Sequence, residues 1–333
     1  MKIELNDFNV IEGFPAIITP RNSSISYEKF IRQIEDAKTE FMQILLRCGA
    51  LLFRGFPVKS ANAFSECIQK LQFGTFVNYI GGDSPRDRVE HGVYTSTEAP
   101  PSIHIPLHQE LSFIKKFPRH IYFFCELAPK ERGETIIADA RKIYQAFDAD
   151  FRNRFQQKEL TYISRYYYKS KIMSLLNSYQ RSHKSWIEVF ETDKKEEVEL
   201  QCLQNNFAWR WLKKDWIEIR QTRPALHTHP ITKENVWFNQ AHLYDFSPRL
   251  LGLKRYIGER LFYRKNTRLH EIRFGDDTKI RRKDLYHILD VLDQNTVAFP
   301  WKNNDFLVLD NILAMHGRAT FQGKRRILTA LTS

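Results

Sequence analysis

The segment Leu107-His108-Gln109-Glu110-Leu111 places an imidazole and a carboxylate two residues apart in a stretch that predicts a strand. Side chains on a strand repeat every second residue, so both groups would share a face and could reach one metal ion. A second imidazole, His316, sits far downstream in Asp310-Asn-Ile-Leu-Ala-Met-His316-Gly317-Arg318, just after an apolar run. Two imidazoles and one carboxylate on one side of an octahedral ion leave three positions open. That facial set suits iron(II), which must accept a bidentate co-substrate and then O2. An HxE pair alone says little, because 11 histidines and 39 acidic residues generate such pairs by chance. His104, His120, His227, His229 and His242 read as ordinary core or surface histidines. A His-x-Glu-x-x-His zinc spacing is absent, because residue 113 is Phe.

The neighbouring residues add weight. Downstream of the HQE lies Arg132-Gly133-Glu134-Thr135-Ile-Ile-Ala-Asp139, and downstream of the HGR lies Phe321-Gln-Gly-Lys-Arg325-Arg326-Ile. An iron oxygenase that uses 2-oxoglutarate must hold the remote carboxylate of that co-substrate while its keto-acid end chelates the metal. A guanidinium pairs with a carboxylate in a bidentate, charge-assisted way, and a hydroxyl adds a further bond. Arg326 and Thr135 are assigned these tasks.

The elements that must position these groups come from the periodicity. Phe30, Ile34, Ala37 and Phe41 repeat with helical spacing between Ser26 and Leu46, and Ser60 precedes a second amphipathic helix with Phe64, Ile68 and Leu71. GALLFRGF (49–56), IYFFC (121–125), VWFN (236–239), FLVLD (306–310) and RILTA (326–330) read as short strands. Residues 141–220 read as a mostly helical, charged insertion, with Ser185 opening one helix, and Lys283 to Leu292 predicts another. Many short strands with helices placed between them predict an antiparallel β core dressed with helices. No repeat, low-complexity tract or linker interrupts residues 1–333, so one domain is expected.

Composition sets the outer bounds. Hydrophobic residues make up 42% and charged residues 27%, which describes a globular chain. The four cysteines (48, 67, 125 and 202) are widely spaced and read as reduced thiols. The opening MKIELNDFNVIEGF lacks a basic region followed by an apolar core, and no apolar run nears the ~18 residues of a membrane span. A cytoplasmic setting without membrane partners is therefore expected. The net charge of +12 favours anionic partners. It is dispersed, without an Arg-rich arm, zinc finger or RNA-binding aromatic motif, so nucleic acid is not the expected partner.

With these residues in view, the sequence resembles the taurine dioxygenase/TfdA-like family of iron(II)/2-oxoglutarate oxygenases. More closely, it is similar to the branch that contains the syringomycin-type aspartyl β-hydroxylase. The matching motifs run in order through nearly the whole chain: GALLFRGF (49–56), GGDSPR (81–86), VYTSTE (93–98), IPLHQE (105–110), GETIIAD (133–139), WFNQAHL (237–243) and the block 310–326. The resemblance implies a double-stranded β-helix, or jelly roll, with helical insertions. It implies Fe(II) on His108, Glu110 and His316, 2-oxoglutarate on Thr135 and Arg326, and O2 as oxidant. Several members have a second arginine four residues past the position of Arg326; this chain has Ala330 there, which argues against a taurine-type sulfonate clamp. Related halogenases have a small residue at the place of Glu110, so the carboxylate implies hydroxylation, with succinate and CO2 as co-products. Desaturation, cyclisation or another oxidation is the alternative on the same cofactors; a zinc hydrolase and a non-catalytic binding protein are the more distant ones. The implied substrate is an amino acid or aminoacyl group of natural-product biosynthesis, free or tethered to an acidic carrier protein that would suit the basic surface. Asn78, Tyr94, Ser96, Asn239 and Arg318 are the candidate substrate contacts.

Overall fold

Alternation of side chains along the strands decides the layers. The computed structural model describes residues 5–77, 87–96, 99–169, 184–262 and 268–333. An eight-stranded sheet runs in the order Phe8–Ile11, Ala16–Pro20, Ala50–Phe53, Phe306–Asp310, His120–Leu127, Arg326–Thr332, Val93–Thr95, Arg88–Glu90. A four-stranded sheet, ordered Val297–Phe299, Thr135–Asp139, Ala314–Arg318, Ile105–His108, faces it. Every pairing in the two sheets is antiparallel except that of Ala16–Pro20 with Ala50–Phe53.

Leu307, Leu309, Phe123, Cys125, Ile327 and Leu331 point inward from the large sheet and meet Ile137 and Ala314 of the small one. Their sequence neighbours Phe306, Val308, Phe124, Leu328 and Ala330 point the other way, onto Phe30, Phe41 and Phe64 of the N-terminal helices. The outer face of the small sheet, with Leu107, Ile136, Ala138 and Met315, packs on Phe147, Phe151, Phe155, Trp237 and Ile288. Strands apolar on both faces follow from this, because each sheet is covered on both sides. Two facing antiparallel sheets inside helical layers form the expected jelly roll.

Local signals set the helices. Ser26 and Ser60 cap Tyr27–Asp36 and Ala61–Leu71 by accepting from Lys29 N and Ala63 N. The helical stretch expected from Ser26 onward is two helices, Tyr27–Asp36 and Lys38–Cys48, divided at Ala37. Gly49, at φ 76°, ends the second in the left-handed conformation that glycine adopts without strain. Ser185 opens Trp186–Phe190 with a reciprocal capping box through Glu188.

The insertion differs from expectation. Helices Ala140–Ala146, Ala149–Lys158 and Lys195–Gln204 lie within 141–220 or at its edge. The same region also carries Leu160–Tyr166, Ala208–Leu212 and Trp216–Arg223, which join His270–Phe274 in a second four-stranded antiparallel sheet. Its charges belong to an insertion expected to be mostly helical. They are instead a cross-strand network in which Glu218, fully buried, pairs with Arg165 at 2.7 Å, Arg210 at 2.8 Å and Arg220 at 3.3 Å.

Candidate metal centre and co-substrate pocket

The site is built where the small sheet faces the interior. Met315 packs outward and Ala314 inward, so alternation turns His316 inward. Likewise Leu107 packs outward and His108 inward. His316 and His108 are directly opposed across adjacent antiparallel strands, with ring centroids 4.4 Å apart. Gly317 permits that approach: a Cβ there would lie 2.4 Å from the Ile105 carbonyl oxygen.

His108, Glu110 and His316 each offer a ligand atom, all within 4.8 Å of one another. Glu110 Oε2 lies 3.6 Å from His316 Nε2. The Pro106 carbonyl lies 2.9 Å from His108 Nδ1 and can only accept, so Nδ1 carries the proton and the Nε2 lone pair is left for a ligand bond. Burial, helped by the neighbouring His316, pushes the His108 pKa down to about 3, which keeps its ring neutral. Within the buried interior, His316 Nδ1 has no hydrogen-bond partner among the described residues. Two imidazoles and one carboxylate fit iron(II) well, and no cysteine joins them.

Beside the ligands a cavity is walled by His108, His316, Phe123, Thr135, Arg325 and Ile327, with Ser96 and Arg318 also at its margin. Thr135 lies across from Arg318 on the neighbouring strand, and its Oγ1 accepts a 3.1 Å bond from Trp301 Nε1. Arg325 donates through Nε to the Gly133 carbonyl at 3.0 Å. Burial, reinforced by Arg318, pushes its pKa down to about 10, so it stays charged near neutral pH. No carboxylate pairs with Arg325 among the described residues, which leaves a half-buried cation facing the cavity.

Arg326, the arginine expected in this pocket, is elsewhere. Ile327 packs into the interior, so strand alternation turns Arg326 outward, where it is 54% exposed and bonds Glu126 at 2.6 Å. The cavity cation is therefore Arg325. Four residues beyond it stands Thr329, so this chain has no second arginine at that spacing on either count.

The candidate substrate residues separate as well. Ser96 lines the cavity, and its backbone N–H donates to Ile327 O at 3.0 Å. Tyr94 is paired with Thr329 on the large sheet and lies off the cavity lining. Arg318 spends its guanidinium on a loop, donating to the carbonyls of Ala99 at 2.9 Å, Pro100 at 2.8 Å and Ile103 at 2.9 Å. It does not reach Asp310, which pairs with Arg119 and His229. Asn239 is removed from the substrate set: fully buried, it donates to Ala225 O and accepts from Ala241 N, holding its own loop. Asn78 and the motif 81–86 lie outside the described residues.

Sequence reasoning passed over the residues behind the ligands. His242, buried, hydrogen-bonds the Leu107 carbonyl at 2.7 Å, next to His108. Gln109 donates to Trp237 O at 2.6 Å, and Gln240 donates to the Gln109 carbonyl. These partners are main-chain atoms, which leave no mark on residue spacing. The strand ladder itself stops at His108, so Glu110 stands beyond it in a turn.

Comparison with known proteins gives a consistent picture. The family model "Taurine catabolism dioxygenase TauD, TfdA family" matches residues 12–332. The chain is 31% identical over 324 residues to the dapdiamide synthesis protein DdaC of Enterobacter agglomerans, covering 97% of this chain and 92% of that one. It is 28% identical over 327 residues to a clavaminate synthase-like protein of Arabidopsis thaliana, covering 96% and 93%. Among solved structures, Pseudomonas aeruginosa PvcB, described as an Fe, alpha-ketoglutarate dependent oxygenase from an isonitrile synthetic pathway, shares the fold with a TM-score of 0.51 at 13% identity, over 100% of this chain and 93% of that one.

Proposed function

We propose, from the premise that the chain belongs to the taurine catabolism dioxygenase TauD, TfdA family, that it hydroxylates an unactivated C–H bond of an amino acid or aminoacyl group in natural-product biosynthesis. The observation that carries the reading is one cavity shared by His108, His316, Thr135 and Arg325, a cation that no carboxylate among the described residues pairs, with Glu110 completing the ligand set.

His108, Glu110 and His316 would hold Fe(II), leaving its other positions for 2-oxoglutarate and O2. When bound, these groups supply the oxidising power: one oxygen atom enters the substrate C–H bond, the other enters succinate, and CO2 leaves. The chain's own residues position and exclude. Arg325 would take the far carboxylate of 2-oxoglutarate in a charge-assisted pair, and Thr135, held by Trp301, would add a hydroxyl bond. Phe123 and Ile327 line the intervening wall and keep water from the reacting atoms. Glu110 supports hydroxylation because its carboxylate would take the place at the metal that a halide would need.

The amino-acid class of substrate is supported by kinship with a dapdiamide synthesis protein. Its delivery on an acidic carrier protein is supported by the +12 charge. A reducing, cytoplasmic setting is supported by four free cysteines, and no helix among the described residues is long and apolar enough to cross a membrane. The test supplies Fe(II), 2-oxoglutarate and O2 with a panel of free and carrier-linked amino acids. Succinate release with a product heavier by one oxygen is expected. A product short of two hydrogens would replace hydroxylation by desaturation, and zinc-supported turnover without O2 would overturn the proposal.

A further inference from the structure

We infer that Asn311 is a positioning residue for the carboxylate ligand, its side chain clamping the main chain of Glu110 onto the hairpin that carries His316. The inference rests on the metal-centre reading of His108, Glu110 and His316, and it goes beyond that reading in saying what sets the third ligand in place.

Two of the ligands are placed by strands, but Glu110 is not. The ladder of Ile105–His108 ends before it, and the next residue, Leu111, takes a left-handed φ of 54°. Something other than sheet bonding must fix this turn. Asn311 Oδ1 accepts from Glu110 N at 2.8 Å, and Asn311 Nδ2 donates to Glu110 O at 2.9 Å. One planar amide thus grips the N–H and the carbonyl of a single residue, which restrains both φ and ψ of Glu110. The second Nδ2 proton goes to Pro118 O at 2.8 Å, and the Asn311 backbone N–H donates to Arg119 O at 2.9 Å, closing the turn at its far end. Among uncharged side chains this short, only asparagine offers one acceptor and two donors from a single plane. Asn311 is fully buried, so no water competes for these bonds.

The neighbouring residue anchors the clamp. Asp310 Oδ1 accepts from Ile312 N at 2.9 Å and Leu313 N at 3.1 Å, shaping the turn between Phe306–Asp310 and Ala314–Arg318. Its Oδ2 is held by His229 Nε2 at 3.0 Å and Arg119 at 3.2 Å. His229 Nδ1 accepts from Thr232 N at 2.9 Å, which ties the ring to its own loop. The hairpin gripping Glu110 is the one that presents His316. The spacing between these two ligands is therefore set by a side-chain clamp, independent of the His316–His108 strand pairing.

Metal binding tests this without turnover. Apoprotein is titrated with Co(II), whose visible bands report affinity and coordination, in wild type, Asn311→Asp and Asn311→Ser. Asn311→Asp keeps the shape but loses both donors. Glu110→Ala gives the spectrum of a site lacking its carboxylate, and Ile34→Ala, in the remote N-terminal helix, controls for general destabilisation. Loss of an outer partner typically weakens metal affinity by about tenfold to a hundredfold. We expect that loss in both Asn311 variants, with bands moving toward those of Glu110→Ala, while Ile34→Ala binds Co(II) as wild type does. Wild-type affinity and bands in a folded Asn311 variant would overturn the clamp, as would an equal loss in Ile34→Ala. If Asn311→Asp does not fold, Asn311→Ser decides. Failure of wild type itself to bind Co(II) would overturn the metal-centre reading, and the clamp with it.

Discussion

Replacing Arg325 and Arg326 one at a time separates two adjacent residues that share chemistry and differ in direction. Arg325 faces the cavity with no carboxylate partner among the described residues, whereas Arg326 is 54% exposed and already paired with Glu126. A hydrogen bond to a charged group contributes about 1.5–3 kcal/mol, and the guanidinium fork can make two to one carboxylate. Losing both to Arg325→Ala should cost about 3 kcal/mol, or roughly a hundredfold in 2-oxoglutarate affinity at 1.4 kcal/mol per decade. Arg325→Lys keeps a point charge and loses the fork, so about tenfold is expected. Arg326→Ala breaks only an exposed pair, a contribution of about 0–1 kcal/mol to stability, and should leave 2-oxoglutarate affinity within about threefold of wild type. The assay is anaerobic titration of the Fe(II)-loaded protein with 2-oxoglutarate, followed by the visible metal-to-ligand charge-transfer band. Melting of the apoprotein separates local loosening, because Arg325→Ala also strips the Gly133 carbonyl of a donor. If Arg326→Ala loses as much affinity as Arg325→Ala, or if Arg325→Ala binds within threefold of wild type, the assignment of the pocket cation is wrong.

Three further outcomes follow from the same geometry. Thr135→Val keeps shape but removes a hydroxyl, so 2-oxoglutarate affinity should fall about fivefold to tenfold, one hydrogen bond's worth; an unchanged constant in the same titration would take Thr135 out of the pocket's work. Gly317→Ala sets a Cβ 2.4 Å from Ile105 O and must push the two histidine strands apart. A cost of about 1–3 kcal/mol should appear as a lower apoprotein melting temperature together with weaker Co(II) binding, and wild-type melting would contradict the close approach. Finally, burial pushes His242 and His120 each down to about 4. Above pH ~6.5 both states are neutral and neither residue contributes; below it the unfolded chain takes up protons that the folded chain refuses, so stability falls as pH falls toward 4. At pH 5 the loss should be about 2 kcal/mol per histidine in urea unfolding of apoprotein, and His242→Gln should remove one histidine's share of the slope. A flat profile between pH 7 and pH 5 would refute the burial argument.

Reading the residues led to a cluster that the structure brings together and to an arginine that it turns away from the cavity, for reasons that are physical. His108, Glu110 and His316 stand out because imidazoles and carboxylates are costly inside and the motifs around them are dense. Arg326–Thr332 is apolar on both faces, since helices cover one side and the small sheet the other. Nothing in Arg-Arg-Ile-Leu-Thr-Ala-Leu marks which face is inward, so the choice between the two arginines needed the pairing of Ile327. Arg165, Arg210 and Glu218 lie in a stretch expected to be mostly helical, but they form cross-strand ion pairs on a sheet around the buried Glu218. Asn311 was invisible because it bonds main-chain atoms, which every residue carries.

The strand Ala314–Arg318 fills the slot between Thr135–Asp139 and Ile105–His108, and the whole insertion precedes it in the chain. During synthesis, His108 and Glu110 therefore leave the ribosome long before their partner does. A nascent chain that has not reached His316 has two ligands, an open sheet edge on each side of the slot, and no third donor. Iron held by these three residues would therefore wait on synthesis of the strand that carries His316. Chains cut after Asp310 should expose two unpaired strands and go to aggregation or proteolysis, so they would not persist as leaky, partly active enzymes.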